Sequence, residues 1–398
     1  MRRPLANHGV RLALGLAIIG CSSPSPPEEP NPLEADLYTP VVPHWGKVVD
    51  LASNSALFIH HDSGAWSVLG YAYNASAGLL TLPHLKTPTR SPGLAGLDAI
   101  SVNFEYGCGF NEKEVRCWGS NSYGEVGQPA GGARVPTPVD LPLPAVSIVA
   151  GASLTLAVLT DGSVWHWGYY EGQPEASWPV PVKQKGLPPI RRALAGSWVL
   201  SCVVDENEEA WCWGVDDYWD WDEELVHVPE HEYDIPVRVP ELDGVKQIWF
   251  GSGNTFIHRV DGSLAGWGVN YSGTLGTGDE EPREDYVPID LGAPVIHAAV
   301  GGNHLCGVVE GGTVFCCGEG QYGQLAQGED KTTHAAPVLV QGLPPILTLT
   351  ATVDATFALD ASGGVWCWGA VEECADSNGA IQRIELPSVL RATSNQDP

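Results

Sequence analysis

A Trp-Gly pair returns along this 398-residue chain at intervals that constrain its fold more than any other feature. Five intact pairs are present, and a Leu-Gly and a Cys-Gly pair stand where two further copies would fall. The glycines of the seven pairs are 49, 49, 46, 54, 50 and 51 residues apart. Such regular spacing indicates repeated supersecondary units of about fifty residues. The seven glycines are Gly70, Gly119, Gly168, Gly214, Gly268, Gly318 and Gly369.

Each unit has the composition of short β-strands joined by tight turns. Five units carry a glycine five residues before the Trp position, and two of these, Gly162 and Gly262, follow an aspartate as in hairpin turns. Apolar runs of strand length, such as residues 154–159, precede the turns, and a proline-flanked run such as residues 137–141 ends the unit. With 47 Gly, 32 Pro and a single Met, the composition disfavours an all-helical fold.

Radial packing of several units buries the sheet faces that a single unit would leave exposed. A single four-stranded sheet leaves both faces uncovered, whereas seven sheets around an axis bury their faces against one another and protect their edges. We therefore predict an all-β fold, a seven-bladed β-propeller of repeats of about 50 residues, over residues 39–398. The tryptophans should pack between neighbouring blades.

The repeat also has a recognisable consensus. The pattern Gly-x(10)-Gly-x-Val-x-x-Trp-Gly-x-Asn-x-x-Gly-x-Leu-Gly resembles the regulator of chromosome condensation repeat, and residues 251–276 and 301–325 carry it best. The resemblance covers residues 45–390 and implies the same propeller. It leaves ring closure open, because residues 39–50 could complete the last blade and residues 384–390 could do the same.

The N-terminus has the pattern of an export signal. The first twenty residues contain three arginines and no acid, and their apolar run, residues 12–19, is far shorter than the ~20 residues that span a bilayer. The end of this segment, Ile18-Ile19-Gly20-Cys21, resembles the lipobox of bacterial lipoproteins. That resemblance implies cleavage before Cys21 and lipidation of its thiol. An ordinary signal peptide with an incidental cysteine is the alternative.

A proline- and serine-rich stretch, SSPSPPEEPNP, follows the lipobox and is typical of an extended tether. We expect residues 1–20 to be the signal peptide and residues 21–38 to be the lipidated cysteine and its tether. The acyl chains would anchor the protein in a lipid bilayer. The expected location is the cell envelope, on its periplasmic or outer surface.

The spacing of the other cysteines predicts disulfides within hairpins. In three units, a cysteine just before the Trp position has a partner nine or ten residues earlier, across the predicted turn. Cys367 lacks this partner because we place Ala358 at the equivalent position, so we pair it with Cys374 and expect Cys317 to be a buried free thiol. Zinc binding is the rival interpretation, but no CxxC pair supports it. The predicted pairs are Cys108–Cys117, Cys202–Cys212 and Cys306–Cys316.

Charge and motif content narrow the function. The formal net charge of −28 opposes nucleic-acid binding, which needs a basic face to displace counterions. The sequence contains no Gly-x-Ser-x-Gly, HExxH or GxxxxGK[ST] motif. Its carboxylates are numerous but show no pattern that would single out an acid–base pair. We therefore predict no catalytic residue, no metal, no cofactor and no enzymatic activity.

One insertion stands out after the fourth Trp-Gly pair. Residues 215–234, VDDYWDWDEELVHVPEHEYD, interleave aromatic residues with acidic ones and account for the 54-residue spacing. The segment could be a solvated loop folded onto its own blade, a recognition loop, or a cation site made by its carboxylates. Aromatic residues are common interface anchors, so Tyr218, Trp219 and Trp221 are our first candidates for contact with a partner.

These observations favour a non-enzymatic scaffold on the bacterial cell envelope that binds an unidentified protein through loops on one propeller rim. One alternative is an inhibitor of an extracytoplasmic enzyme, because one secreted bacterial group with this repeat inhibits β-lactamases. A metal-dependent lyase and a GTPase exchange factor are further alternatives that the resemblance raises. The export signal, disulfides and acidic charge oppose the exchange factor.

Overall fold

The computed structural model describes residues 47–53, 56–71, 84–103, 105–129, 131, 133–151, 153–169, 177–196, 200–214, 235–371 and 380–386. These residues lie within one compact unit, residues 40–398. Seven four-stranded antiparallel sheets follow one another along it, and the strands of each sheet pair in chain order. The predicted all-β, seven-bladed propeller is confirmed.

The first four blades have these strands: β1 (Val48–Ser53), β2 (Ala56–His61), β3 (Trp66–Tyr71) and β4 (His84–Arg90); β5 (Ala99–Val102), β6 (Tyr106–Phe110), β7 (Val115–Gly119) and β8 (Ala133–Val139); β9 (Ala145–Ala150), β10 (Leu154–Leu159), β11 (Val164–Tyr169) and β12 (Ser177–Lys183); β13 (Ile190–Gly196), β14 (Leu200–Asp205), β15 (Ala210–Gly214) and β16 (Val237–Arg238).

The last three blades have these strands: β17 (Val245–Phe250), β18 (Asn254–Arg259), β19 (Leu264–Gly268) and β20 (Arg283–Pro288); β21 (Val295–Val300), β22 (His304–Val309), β23 (Val314–Gly318) and β24 (His334–Leu339); β25 (Ile346–Ala351), β26 (Ala355–Asp360), β27 (Val365–Gly369) and β28 (Gln382–Arg383). Short 3-10 turns at Pro92–Leu94 and Pro240–Leu242 connect blades.

The position of a strand within its blade decides its burial. The first strands of neighbouring blades contact one another and surround the central axis. The second strand lies inside the sheet, and both of its faces are covered by neighbouring blades. All six residues of β10, β22 and β26 are therefore buried, which explains why these strands are largely apolar.

The Trp position forms the contact between blades, as predicted. Trp118 lies with its ring centroid 6.4 Å from that of Phe58 in the preceding blade. The other six side chains at this position each join a core cluster with the preceding blade. The first blade follows the same rule by packing on the seventh. These six are Leu69, Trp167, Trp213, Trp267, Cys317 and Trp368.

The glycine after the Trp position is required by the backbone. All seven glycines have φ between 104° and 130°, a region that other residues rarely adopt. At Gly168, a Cβ atom would lie 2.2 Å from the backbone oxygen of Ser153. The repeat keeps this glycine because a side chain would push the two paired strands apart.

Ring closure uses the C-terminal segment, one of the two predicted alternatives. The fourth strand of blade 7 is β28, and the Ile384 amide donates a hydrogen bond to the Val365 oxygen just beyond it. The strand lies slightly upstream of residues 384–390. Of the other alternative, residues 39–50, the residues from 48 onward form part of the first strand of blade 1, and residues 39–46 lie outside the described residues. Blades 7 and 1 share a core cluster that contains Phe357 and Leu57.

The three predicted hairpin disulfides are present in the structure. They join the second and third strands of blades 2, 4 and 6, with Cα–Cα distances of 4.1, 4.2 and 4.1 Å. Such short distances are typical of cross-strand pairs without hydrogen bonds between them. All six cysteines are buried.

Cys367 requires a correction. Its cross-strand neighbour is Phe357, not Ala358. The hairpin turn of blade 2 is one residue shorter than that of blade 7, so the nine-residue spacing does not transfer. Cys367 is itself disulfide-bonded. The predicted partner, Cys374, lies outside the described residues.

Cys317 is a buried free thiol, as expected. Its Sγ donates a hydrogen bond to the Thr274 oxygen, 3.3 Å away in the preceding blade. Burial raises the pKa of this thiol to about 12, so it is protonated at neutral pH. It fills a Trp slot as a small apolar side chain and has little nucleophilic character.

The outer edges of the blades are protected against pairing with other chains. Five of the outermost strands contain proline, which cannot donate a hydrogen bond to a fifth strand, and β16 and β28 have two residues each. The edges therefore do not favour β-augmentation, and binding falls to the two ends of the propeller. The prolines are Pro88 in β4, Pro136 and Pro138 in β8, Pro179 and Pro181 in β12, Pro288 in β20, and Pro337 in β24.

Those two ends differ by topology. The connections from first to second and from third to fourth strand emerge at one end, which we call the loop rim. The hairpin turns between second and third strands and the blade-to-blade connections emerge at the other, which we call the turn rim. In blade 5, residues 251–253 and 269–282 belong to the loop rim, and residues 260–263 and 289–294 belong to the turn rim.

Candidate functional site

The loop rim presents tyrosines to solvent from the loop that follows the Trp-Gly pair. Tyr271 is 73% exposed, Tyr322 is 44% exposed and Tyr123 is 38% exposed. Tyr123 and Tyr322 occupy the same position of the repeat, and Tyr271 lies one position earlier. The Tyr123 ring lies beside that of Tyr169 in the next blade, with centroids 5.2 Å apart. Exposed aromatic groups on a rigid support are common anchors at protein interfaces.

Buried polar side chains hold these loops in place. The Tyr123 amide donates to the Glu125 carboxylate, and the Tyr322 amide donates to Gln324 Oε1 at 2.8 Å. Glu125 and Gln324 are buried, so each forms a fixed support two residues beyond its tyrosine. The tyrosines are therefore presented by ordered backbone, which lowers the entropy cost of binding.

Asn270 plays the same part in blade 5. Its Nδ2 donates to the backbone oxygens of Asp279 and Glu281, both at 3.0 Å, and its Oδ1 accepts from the Leu275 amide. The side chain closes the loop from inside, and it has a φ of 50°, which asparagine tolerates better than most residues. Asn121 makes the corresponding bonds in blade 2.

Closer to the axis, the loops of blades 5, 6 and 7 form one continuous surface. The Ser252 amide donates to the Gly302 oxygen at 3.1 Å, and the Gly302 amide donates to the Val353 oxygen at 2.9 Å. Two apolar side chains flank this line of hydrogen bonds: Phe250 is 43% exposed and Val353 is 55% exposed. The loop rim thus has apolar groups near the axis as well as tyrosines further out.

The carboxylates of the loop rim have little compensation. Burial raises the pKa of Asp354, and the nearby Glu319 carboxylate raises it further. Glu319 accepts a hydrogen bond from Asn303 Nδ2 at 3.2 Å. In the described loops of this rim, Lys331 is the only Lys or Arg, against nine acidic residues. Arg283, the first residue of β20, already pairs with Asp279.

Some carboxylates of the turn rim pair with arginines. Arg192 pairs with Glu208 at 2.7 Å and donates to the Val245 oxygen of the next blade at 2.9 Å. Arg238 pairs with Glu209 and with Asp243, at 2.9 and 2.6 Å. These paired charges stabilise the fold.

The described residues contain no group of three or more His, Cys, Asp or Glu side chains able to hold a metal ion. A cavity of about 270 Å³ on the turn rim is lined by Leu141 and Leu143 and opens beside Lys113 and Glu114. In the same described ranges, no helix is long and apolar enough to cross a membrane.

Several predicted site residues cannot be compared with the structure. Tyr218, Trp219 and Trp221 lie outside the described residues, and so does Cys21. Gly214 and Ile235, the described residues on either side of the insertion, lie at the loop rim. Its contact role stays a prediction.

Sequence reasoning missed the exposed tyrosines and the apolar pair Phe250 and Val353. Tyr123, Tyr271 and Tyr322 lie inside the repeated segment after the Trp-Gly pair, which marked them as structural. Their shared position at the tip of a loop was the signal available. Their exposure depends on packing between blades, which the repeat pattern does not contain.

Comparison with known proteins identifies relatives with this architecture. The family described as "Regulator of chromosome condensation (RCC1) repeat" matches residues 261–308 and 311–359, and a second RCC1 family matches residues 295–324. The Arabidopsis thaliana "Ultraviolet-B receptor UVR8" is 27% identical over 261 residues, which cover 62% of this chain and 58% of the receptor. The Homo sapiens "E3 ubiquitin-protein ligase HERC2" is 26% identical over 290 residues, 68% of this chain but 6% of the ligase.

This chain therefore spans less than two thirds of these curated relatives. Among solved structures, yeast RCC1 (Prp20) bound to Kap60 superposes with a TM-score of 0.67 at 16% identity, covering 94% of this chain and 91% of that one. Human WBSCR16 gives a TM-score of 0.64 at 16% identity, covering 80% and 88%. At such identities these likenesses concern the fold.

Proposed function

We propose that this chain is a member of the RCC1-repeat propellers and a non-enzymatic, protein-binding scaffold of a bacterial cell envelope. Acyl chains on Cys21 would anchor it in the bilayer. The loop rim would contact a protein partner.

The observation that carries this proposal is the set of exposed tyrosines on ordered loops. Tyr271 exposes 73% of its surface although Asn270 fixes the backbone beside it. An exposed aromatic side chain on a fixed support is a favourable interface anchor, because a partner can bury its apolar surface with little loss of conformational freedom. Tyr123 and Tyr322 repeat the arrangement in blades 2 and 6.

Proteins of similar fold support protein binding, but not a particular partner. One solved structure is of yeast RCC1 bound to another protein, Kap60, and a second is of Prp20p from Saccharomyces cerevisiae, which binds Gsp1p and histones. By analogy, we propose protein binding for this chain but not those partners. The ligase activity in the name of HERC2 is not carried over, because the match covers 6% of that protein.

The proposed location rests on the sequence before the propeller. The basic start, the short apolar run and the Ile-Ile-Gly-Cys end support export and lipidation at Cys21. The disulfides of blades 2, 4 and 6 are consistent with an oxidising compartment.

Site-specific photocrosslinking in the native host tests the binding rim. A photoreactive residue at Tyr271 should form a covalent adduct with another protein, because this side chain faces solvent on the proposed interface. The matched control replaces Val260, which is 62% exposed in the turn rim of the same blade. Adducts from Val260 but not from Tyr271 or Tyr322 would refute the proposed rim.

The anchor is tested separately. Cys21→Ser should release the protein from the membrane fraction and abolish incorporation of radiolabelled palmitate. Retention of label and membrane association in this variant would refute lipidation at Cys21, and would leave the binding proposal intact.

A further inference from the structure

Resting on the proposed function, we infer that the loop rim over blades 5 to 7 recognises a basic segment of the protein partner. That segment would carry an Arg or Lys beside an aliphatic or aromatic residue. We call the receiving surface the inner patch and define it by Phe250, Glu319, Val353 and Asp354, with Tyr322 further out on the same rim.

The inner patch is one surface although it comes from three blades. Backbone hydrogen bonds from Ser252 to Gly302 and from Gly302 to Val353 connect its loops edge to edge. The close approach is built in, since a Cβ at Gly302 would lie 2.9 Å from a Val353 methyl group. The exposed Phe250 and Val353 therefore stand on a surface that does not need to rearrange on binding.

The negative charge of the inner patch favours a partner segment that carries positive charge. Glu319 in blade 6 and Asp354 in blade 7 are half-buried, and their repulsion shows in the raised pKa of Asp354. No described Lys or Arg forms an ion pair with either carboxylate. A cation from the partner would be attracted by both groups and would remove their mutual repulsion.

The apolar side chains beside the two carboxylates favour an apolar residue next to the cation of the partner segment. Phe250 and Val353 offer surface to the methylene stem of Arg or Lys and to an adjacent apolar side chain. Tyr322, three residues after Glu319 in the same loop, offers a ring face to a guanidinium or ammonium group. An acidic partner would meet repulsion from Glu319 and Asp354 at the same place.

Peptide titration with the purified full chain in detergent tests this inference. The probe is the peptide acetyl-Gly-Arg-Leu-Arg-Tyr-Arg-Gly-amide at 150 mM salt, and its counterpart has Glu in place of each Arg. We expect the basic peptide to bind at least about tenfold more tightly than the acidic one. The double variant Glu319→Gln/Asp354→Asn should weaken binding about tenfold and Val353→Ser about threefold.

The matched controls lie at the opposite end of the same blades. Glu310→Gln and Val260→Ser alter an exposed acid and an exposed valine on the turn rim and should leave the affinity unchanged. Equal weakening by both sets of variants would mean that the basic peptide follows net charge alone, and would overturn the inference. Absence of binding to the basic peptide would also overturn it.

Failure here is distinguishable from failure of the proposed function. If the photocrosslinked adduct from Tyr271 persists in Glu319→Gln/Asp354→Asn, the binding function stands and the basic-segment inference fails. If no position of the loop rim yields an adduct, both fail.

Discussion

Two aspartates at opposite ends of one strand show how the rims differ. Asp354 precedes β26 at the loop rim, and burial together with Glu319 raises its pKa. Asp360 ends β26 at the turn rim. Burial would raise its pKa too, but hydrogen bonds from Ser362, Trp366 and the Gly364 amide outweigh that effect and lower it to about 2.

The comparison of Asp360 with Asp354 distinguishes a carboxylate that stabilises the fold from one that is available to a partner. At the turn rim, Asp360 closes a turn, and Glu208 pairs with arginines, so these charges are used within the fold. At the loop rim, the carboxylates of the inner patch have neither arrangement, while apolar and aromatic groups stay exposed. Surfaces that keep uncompensated charge and exposed aromatics are where interaction is expected.

Acid should have the largest effect, because it acts on groups throughout the ring. Burial lowers the pKa of His166, His297 and His304 to about 4, whereas an unfolded histidine titrates near 6.5. The unfolded chain therefore binds protons first, and stability that is complete above pH 6.5 falls as the pH drops to about 4. Each histidine can contribute about 3 kcal/mol. Urea unfolding between pH 7.5 and 4.5 measures this loss.

His304→Gln identifies the contribution of one group. Its Nε2 lies 2.9 Å from Thr356 Oγ1, a contact between blades 6 and 7. The glutamine variant should flatten the pH dependence by the equivalent of one proton. An unchanged slope would show that His304 titrates normally in the folded protein.

The paired variants Asp360→Ala and Asp354→Ala test the two rims directly. Asp360→Ala removes bonds to Ser362, Gly364 and Trp366 and should cost about 2–3 kcal/mol. Asp354→Ala should leave stability unchanged or raise it slightly, because it removes a repelled charge. Thermal unfolding of both variants measures the two changes in stability. A larger loss for Asp354→Ala would reverse the assignment of structural and binding rims.

Arg192→Ala should have a smaller effect. The side chain pairs with Glu208 and donates to the Val245 oxygen across the blade 4–5 junction, and both partners are partly exposed. We expect a loss of about 0.5–1 kcal/mol that shrinks as salt is added. The measurement is denaturant unfolding at 50 and 500 mM NaCl. A salt-independent loss would point to packing by the arginine stem instead of its charge.

The smallest effect is expected for Glu319→Gln. Its main consequence should be a lower pKa of Asp354, since one of the two causes that raise it disappears. Stability should change by less than about 0.5 kcal/mol, as for ordinary surface substitutions. NMR titration of Asp354 measures the shift, with Glu310→Gln as the control that should not move it.

The sequence predicted the parts of this fold that depend on local spacing. The Trp-Gly repeat identified seven blades, and the hairpin spacing identified Cys108–Cys117, Cys202–Cys212 and Cys306–Cys316. It misplaced the cross-strand neighbour of Cys367, because an error of one residue in turn length moves that neighbour from Phe357 to Ala358 and so to the other face of the strand. It placed the closing strand slightly too far downstream, because the two-residue β28 has no periodicity to read.

The candidate site was less predictable than the fold. The sequence directed attention to Tyr218, Trp219 and Trp221, which differ visibly from the other repeats. Tyr322, Val353 and Phe250 lie in segments that look like ordinary repeat loops. Their importance comes from exposure, which depends on how neighbouring blades cover one another.

By itself, the sequence determined the all-β architecture, the number of blades, the hairpin disulfides and the acidic charge. These properties follow from residue type at fixed separation, and a hairpin brings such residues together in every unit. Only the tertiary structure decided that Glu319 and Asp354 repel each other and that Phe250 and Val353 flank one surface. Those residues belong to different blades, so closing the ring is what brings them together.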